Sequence, residues 1–219
     1  MAAQEHHIRI SKTARYYVLG NQDSSVQEVW FVCHGYGQLA SFFIKHFEVL
    51  ENSQRLIVAP EALSRFYLET PDRRVAATWM TKEDRINEIK DYVNYLDTLA
   101  KEILFKTQNI SVKVTIFGFS QATATVCRWV AQGDIQPDHL ILWAGRIPPE
   151  LKLRNNKHIF KNAKLTFVIG DKDEYATPDI INEEKLQLEE SGILFQFVSF
   201  TGGHQINTEV LKRISGICS

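Results

Sequence analysis

Between residues 112 and 130, the spacing of the apolar residues changes abruptly at a serine. Val112, Val114 and Ile116 alternate with polar residues, which is typical of a strand. After Ser120 the apolar residues recur at helical spacing instead, at Ala122, Val126, Trp129 and Val130. The segment therefore predicts a strand, a tight turn that carries the serine, and a helix.

The turn reads Gly118-Phe119-Ser120-Gln121-Ala122, the G-x-S-x-G pattern with alanine in the last place. Serine is a weak nucleophile unless its oxygen is exposed beside a base and close to N–H donors. A strand-to-helix turn can provide this, because the free N–H groups of the helix N-terminus face the developing oxyanion. The alternative is a glycine turn whose serine only caps the helix. The strand before the turn and the helix after it favour the nucleophile.

Two further predicted strands supply an acid and a base. Residues 164–169 form an apolar strand that is followed by Asp171 and Asp173. Residues 194–200 form another, which is followed by His204. An acid and then a histidine therefore follow strands downstream of Ser120. Open α/β sheets build their sites beyond the carboxyl ends of the strands.

His204 is expected to be the base, because Gly202 and Gly203 before it let the backbone approach other loops closely. Either Asp171 or Asp173 could bond to the other imidazole nitrogen and fix its tautomer, so the residues alone leave both open. Five other histidines are expected at the surface, namely His6, His7, His46, His139 and His158.

The remaining elements predict an α/β protein. Apolar runs at 29–33, 56–59 and 139–144 have the composition of strands buried on both faces. Edge-strand material, in one strand or a hairpin, is expected at 8–19. Helices are predicted at 39–50, 84–105, 178–191 and 205–217, the third with Thr177 as its N-cap. Strands that alternate with helices indicate a mostly parallel central sheet with helices on both faces. A single domain over residues 1–219 is expected, without room for a large lid domain.

Four motifs, taken in order, resemble the phospholipase/carboxylesterase group of the α/β-hydrolases, which includes small bacterial carboxylesterases and the acyl-protein thioesterases. They are Cys33-His34-Gly35-Tyr36-Gly37, Gly118-Phe119-Ser120-Gln121-Ala122, Gly170-Asp171-Lys172-Asp173 and Gly203-His204. The resemblance implies an α/β-hydrolase fold. It also implies that Asp173, the fourth residue of its G-x-x-D turn, is the acid. The backbone N–H groups of Tyr36 and Gln121 are implied to form the oxyanion hole.

The chain departs from this family at three places. Ala122 stands where the family has its last elbow glycine, and Tyr36 stands where it usually has leucine. The family's valine-proline after the acid appears here as Tyr175-Ala176-Thr177-Pro178, with a slightly different spacing. None of the departures removes a catalytic group, so they bear on the substrate. The phenol of Tyr36, in particular, is expected either to narrow the acyl entrance or to hydrogen-bond a substrate.

Loop aromatics are the candidates for a substrate pocket, because exposed aromatic surface favours an apolar partner. Phe42 and Trp79 are the two residues selected, Trp79 because it lies in a polar segment before a helix. The acidic pairs at 183–184 and 189–190 are expected on an exposed helix face.

Composition excludes several classes of function. The formal net charge is −1, which gives no attraction to nucleic acid or to an anionic membrane surface. Neither a signal peptide nor an apolar stretch long enough for membrane insertion is expected. Cys33, Cys127 and Cys218 have no metal-like spacing and are expected to be reduced, which favours a cytoplasmic location. Nothing in the sequence indicates the oligomeric state.

Two classes of function remain. The first is a serine hydrolase that cleaves carboxylic esters or thioesters with an apolar acyl part, a small-molecule reaction that needs no metal and no cofactor. The second is a non-catalytic relative that keeps the fold as a binding or scaffold module. Ser120, Asp173 and His204 together favour the first, because a scaffold has no use for all three.

Overall fold

The computed structural model describes residues 2–153 and 156–216. Seven strands form the main sheet in the order β1-β3-β2-β6-β7-β8-β9, and β1 is its antiparallel member. They are β1 (Tyr16–Leu19), β2 (Glu28–Cys33), β3 (Arg55–Pro60), β6 (Lys113–Phe119), β7 (His139–Trp143), β8 (Lys164–Gly170) and β9 (Phe195–Phe200). The mostly parallel sheet predicted from the sequence is therefore confirmed.

The central strands form because their side chains are buried on both faces. All six residues of β3 are buried, as are the last five of β2 and the last six of β6. A strand with two covered faces needs an uninterrupted apolar run, which is why these segments lack the polar alternation of a half-exposed strand.

Five α-helices lie among the described residues: α1 (Ala40–Phe43), α2 (Arg85–Thr107), α3 (Gln121–Gln132), α4 (Pro178–Glu190) and α5 (Thr208–Ile214). α2, α3 and α4 pack on one face of the sheet, and α1 and α5 pack on the other. Helices cover both faces, as predicted, and the described residues form no additional large domain.

The predicted helix at 39–50 is only partly α-helical. α1 is a single turn, and residues Ile44–Leu50 continue as a 3-10 helix. Ile44, Phe47 and Leu50 are its buried residues, and their spacing of three matches the three residues per turn of a 3-10 helix.

Other differences lie at the edges of the fold. The strand at 8–19 is limited to β1, and the last helix begins at Thr208, where the Asn207 side chain accepts the Val210 N–H. Sequence analysis missed a two-stranded hairpin, β4 (Ser64–Tyr67) and β5 (Val75–Thr78). The predicted end of α5 at residue 217 and Cys218 lie outside the described residues.

Candidate active site

Ser120 lies between β6 and α3 with φ 54° and ψ −116°, a left-handed φ that is costly for any residue other than glycine. Its N–H donates to the Trp143 carbonyl at 2.8 Å, and its own carbonyl accepts from the N–H of Thr123 at 3.0 Å. These bonds hold the serine in its strained turn at the carboxyl end of β6, as the sequence pattern predicted.

The two small residues of the turn, Gly118 and Ala122, fit their positions for different structural reasons. A Cβ added to Gly118 would lie 2.6 Å from the Ala122 carbonyl oxygen, so only glycine fits there. Ala122 is fully buried in the core on the α2 and α3 side of the sheet. The methyl group that replaces the family's glycine therefore packs as an ordinary core atom.

His204 bridges the serine and one aspartate. Its Nε2 lies 2.9 Å from Ser120 Oγ, and its Nδ1 lies 2.9 Å from Asp173 Oδ2. The Asp173 side chain is fully buried, and its Oδ1 accepts the Tyr175 N–H at 2.9 Å. An ionised carboxylate can only accept, so Nδ1 is the donor to Asp173 and Nε2 of the neutral ring is left to accept the serine proton.

Asp171 has a different position, although the residues alone left it open as the acid. Its Oδ1 accepts the Gly202 N–H at 3.0 Å, and its own N–H donates to the Phe200 carbonyl at 2.9 Å. Asp171 therefore holds the loop that leads into His204, while Asp173 contacts the imidazole itself.

The turn at residues 35–38 lies directly against the serine. A Cβ built on Gly35 would be 3.2 Å from Ser120 Cβ, and the Gly35 N–H donates to Gln38 Oε1 at 2.8 Å. In the described part of the chain, the N–H of Tyr36 donates to no protein acceptor. The N–H of Gln121 is the first of α3, and such a group has no acceptor within its helix. Two backbone N–H groups without a protein acceptor among the described residues therefore belong to the residue after Ser120 and to the turn that lies against it.

His34 positions this turn, and sequence analysis gave it no role of its own. It is fully buried, its Nδ1 donates to the Gly35 carbonyl at 2.8 Å, and its Nε2 accepts the Ala62 N–H at 3.1 Å. Burial holds the pKa of His34 below its ordinary value, so the ring stays neutral in the tautomer that both bonds need. The histidine of the His-Gly motif was the signal that could have identified it.

A cavity of about 230 Å³ opens beside Ser120 and His204 and extends between the sheet and α4. Gly145 contributes to its wall near the serine. Most of its wall is apolar and comes from β8, α4 and β9, through Phe167, Ile169, Ile180, Ile181, Leu188, Phe195 and Phe197. A mostly apolar cavity of this size next to a serine is suited to an acyl chain.

The structure corrects both pocket residues selected from the sequence. Trp79 is 2% exposed and packs in the core between His34 and Tyr92, so it is not a cavity wall. Phe42 is 66% exposed and lies on the surface beside Lys45, away from the cavity lining. The Tyr36 side chain is 61% exposed, stacks on Phe66 at 5.3 Å, and does not line the cavity either.

The prediction that Glu184 lies on an exposed helix face is wrong. The residue is 6% exposed, lines the cavity, and accepts a hydrogen bond from Arg146 Nε at 2.9 Å. Burial raises the pKa of Glu184, while Arg146 and the Ile147 N–H oppose that rise. Glu183 is exposed and pairs with the same arginine at 2.7 Å. The wall is therefore mostly apolar, but it includes the pair of Arg146 and Glu184 and also Lys185.

The prediction that His139 lies at the surface is wrong. The residue is half-buried at the start of β7, with its Nε2 2.8 Å from Thr166 Oγ1. Burial, aided by the charge of Lys164, lowers the pKa of His139 to about 4. The other four predicted surface histidines are exposed; among them, His7 lies with Glu5 and Asp84 in a surface group of potential metal ligands. Exposed groups of this kind are common without a metal.

Cys33 and Cys127 are free, buried thiols, and burial raises the pKa of both. Neither lies in the wall of the cavity beside Ser120. In residues 2–153 and 156–216, no helix combines the length and the apolar character that a membrane span requires.

No protein-family model matches the chain, and no curated protein matches its sequence. Solved structures do match. Acyl-protein thioesterase 2 from Zea mays is 15% identical with a TM-score of 0.71, covering 92% of this chain and 96% of that one. Esterase PE8 is 18% identical with a TM-score of 0.68, covering 93% and 100%. SOBER1 from Arabidopsis thaliana is 15% identical with a TM-score of 0.67, covering 87% and 96%.

At these identities the likeness establishes the fold. The chain has the α/β-hydrolase fold of these structures, as the resemblance of its sequence motifs predicted. The matched structures include a thioesterase and an esterase.

Proposed function

We propose that this protein is a serine hydrolase that cleaves carboxylic esters or thioesters with an apolar acyl part. The observation that carries the proposal is the continuous hydrogen-bonded line from Ser120 Oγ through His204 to Asp173, with 2.9 Å at each step. A nucleophile, a base and an orienting carboxylate in this arrangement are what acyl transfer to serine requires.

In the first half-reaction, His204 Nε2 accepts the Ser120 proton while Oγ forms a bond to the carbonyl carbon. The N–H groups of Tyr36 and Gln121 stabilise the oxyanion. The bond to the leaving oxygen or sulfur then breaks, and that atom takes the proton from His204.

In the second half-reaction, water attacks the acyl-enzyme. His204 accepts a proton from the water as the new carbon–oxygen bond forms. The bond to Ser120 Oγ then breaks, and His204 returns the proton to the serine. Throughout, Asp173 holds the tautomer of His204 and stabilises the imidazolium. The two half-reactions consume only the ester or thioester and one water molecule, so no cofactor or metal enters the proposed reaction.

The cavity under α4 supports an apolar acyl group, because it begins at the serine and is lined mainly by aliphatic and aromatic side chains. The alcohol or thiol part of the substrate then lies outside this cavity. The two free, buried thiols support the cytoplasmic location that we infer for the reaction.

A fluorophosphonate probe separates this proposal from the non-catalytic alternative. We expect the probe to label the purified protein at Ser120 and p-nitrophenyl esters to be hydrolysed. The Ser120→Ala variant should lose both labelling and turnover and keep the native circular dichroism spectrum. Ser199→Ala, a change at an exposed serine of β9, should keep both. A folded wild-type protein that neither reacts with the probe nor hydrolyses esters would support the alternative, a non-catalytic binding or scaffold module.

A further inference from the structure

The two proposed oxyanion donors belong to separate segments, and β5 is fixed to both. On one side, Ala77 of β5 accepts the Gly37 N–H at 3.0 Å and donates its own N–H to the Gln38 carbonyl at 3.2 Å. These two backbone bonds attach the turn that carries Tyr36 to the end of the hairpin. The position of the Tyr36 N–H is therefore tied to the position of β5.

On the other side, the side chain of Gln121 is bonded to the residues at and after the end of β5. Its Oε1 accepts the Trp79 N–H at 3.2 Å. Its Nε2 donates to Thr78 Oγ1 at 2.9 Å and to the Met80 carbonyl at 3.1 Å. Gln121 also supplies the second proposed oxyanion donor through its backbone, so this donor too is attached to the hairpin.

The indole of Trp79 makes a further connection to the oxyanion turn. Its Nε1–H donates to the His34 carbonyl at 2.7 Å, and its ring lies 5.3 Å from the imidazole of His34. His34 in turn holds the Gly35 carbonyl through Nδ1. Trp79 and His34 are both buried, so these bonds do not compete with solvent.

We propose that Gln121, through its side chain, and Trp79, through its indole N–H, are positioning residues that set the distance between the two oxyanion donors. We call these two side chains the oxyanion clamp. The inference rests on the proposed function, because it assigns the clamp to the same reaction. Oxyanion donors act only when both lie within about 2.7–3.1 Å of the charged oxygen, so two separate segments need a fixed spacing.

Two variants test the clamp without removing a catalytic group. Gln121→Met keeps the backbone N–H and a similar side-chain length, but loses the side-chain hydrogen bonds to Thr78, Trp79 and Met80. Trp79→Phe keeps an aromatic ring and loses the indole N–H. We expect each to lower kcat by about 10- to 100-fold, because a small misplacement of a preorganised group has effects of this size. KM for a p-nitrophenyl ester should stay within about threefold of the wild-type value, since ground-state binding is untouched.

Trp129→Phe is the matched control. Trp129 is also fully buried, and its Nε1–H donates to Asp97 Oδ1 at 2.8 Å, but it makes no bond to the 34–38 turn or to residues 78–80. A merely structural cost of deleting a buried indole N–H should therefore appear in this variant as well. A fall in kcat of the same size in Trp129→Phe, or kcat within about twofold of wild type in both clamp variants, would overturn the proposal.

A second readout does not depend on turnover. In ¹⁵N-labelled protein, Gln121→Met and Trp79→Phe should both shift the backbone amide resonances of Tyr36 and Gly37, and Trp129→Phe should leave them in place. Unmoved resonances in both clamp variants would refute the coupling, even if the wild-type protein is an active esterase. Shifted resonances in a protein without esterase activity would uphold the coupling and refute the proposed function.

Discussion

Oδ2 of Asp173 lies 2.9 Å from Nδ1 of His204, although the two residues are 31 positions apart in the chain. Asp171, only two residues earlier, bonds instead to the Gly202 N–H. Parallel β8 and β9 bring both loops to one edge of the sheet, and a two-residue difference decides which carboxylate meets the imidazole.

The first prediction separates the two aspartates. Asp173→Asn should lower kcat by about 10³- to 10⁴-fold, because a neutral amide no longer favours the tautomer with the proton on Nδ1. Asp171→Asn should stay within about tenfold of wild type, since an amide oxygen can still accept the Gly202 N–H. Steady-state kinetics on one p-nitrophenyl ester measures both. A larger loss in Asp171→Asn would transfer the role of acid to that residue.

The second prediction concerns the length of the acyl chain. A cavity of 150 Å³ holds benzene, so the space of about 230 Å³ under α4 should hold about eight or nine carbons. Ile181 of α4 is half-buried and lines the cavity, and Ile181→Phe should shorten the preferred chain by about one to two carbons. The measurement is kcat/KM for p-nitrophenyl esters from acetate to decanoate.

Phe42→Ala is the control for the acyl-length series. Phe42 is exposed and outside the cavity, so its removal should leave the order of preference among the esters unchanged. A chain-length profile that moves with Phe42→Ala and not with Ile181→Phe would place the acyl group on the other side of Ser120.

The third prediction concerns the two small residues of the serine turn. Ala122→Gly restores the glycine of the resembling family and should lower the free energy of unfolding by about 1 kcal/mol, because glycine is unfavourable in a helix. Its kcat should change little. Gly118→Ala should abolish turnover or folding, since its Cβ would lie 2.6 Å from a backbone oxygen. Urea denaturation and ester kinetics of the two variants test this, and a fully active Gly118→Ala enzyme would contradict it.

The fourth prediction is a pH dependence of stability. The pKa of His139 falls from 6.5 to about 4 on folding, so above pH 6.5 the residue is neutral in both states and has no effect. Between pH 6.5 and 4 the unfolded chain binds a proton that the folded chain does not, and the free energy of unfolding falls. The loss should be of the order of 1–3 kcal/mol.

His139→Gln removes this titration and keeps a side chain able to bond to Thr166. Urea denaturation of wild type and variant at pH 7 and pH 4.5 should therefore show a smaller loss of stability in His139→Gln. Equal losses in the two proteins would mean that His139 is solvated and titrates normally.

The main sheet could be predicted from the sequence because parallel strands with two covered faces leave long apolar runs. The β4–β5 hairpin could not be predicted. Each of its strands has only four residues, and exposed and buried positions over so short a segment give a weak pattern. The sequence predicts an α-helix where the 3-10 helix Ile44–Leu50 lies. Apolar residues at every third position fit both types of helix over a short segment.

Part of the candidate site could also be predicted from the sequence, and part of it could not. Ser120, the pair Asp171 and Asp173, and His204 each follow a strand, so the sheet itself brings them to one edge. The choice of Asp173 over Asp171 came from the resemblance and not from the strand pattern. Trp79 was misplaced because its segment is polar, and its burial comes from contacts with His34 that no local pattern contains. The cavity depends on where α4 lies over β8 and β9, which the sequence does not specify.

The segment between Asp173 and α4 has an evolutionary consequence. Four residues after Asp173, Thr177 caps α4, the helix that covers the cavity. An insertion or deletion here would displace the acid and the helix at the same time. Exchanges of side chains on α4 can therefore change the substrate range without moving Asp173, whereas a change in the length of this loop acts on the acid and on the cavity together.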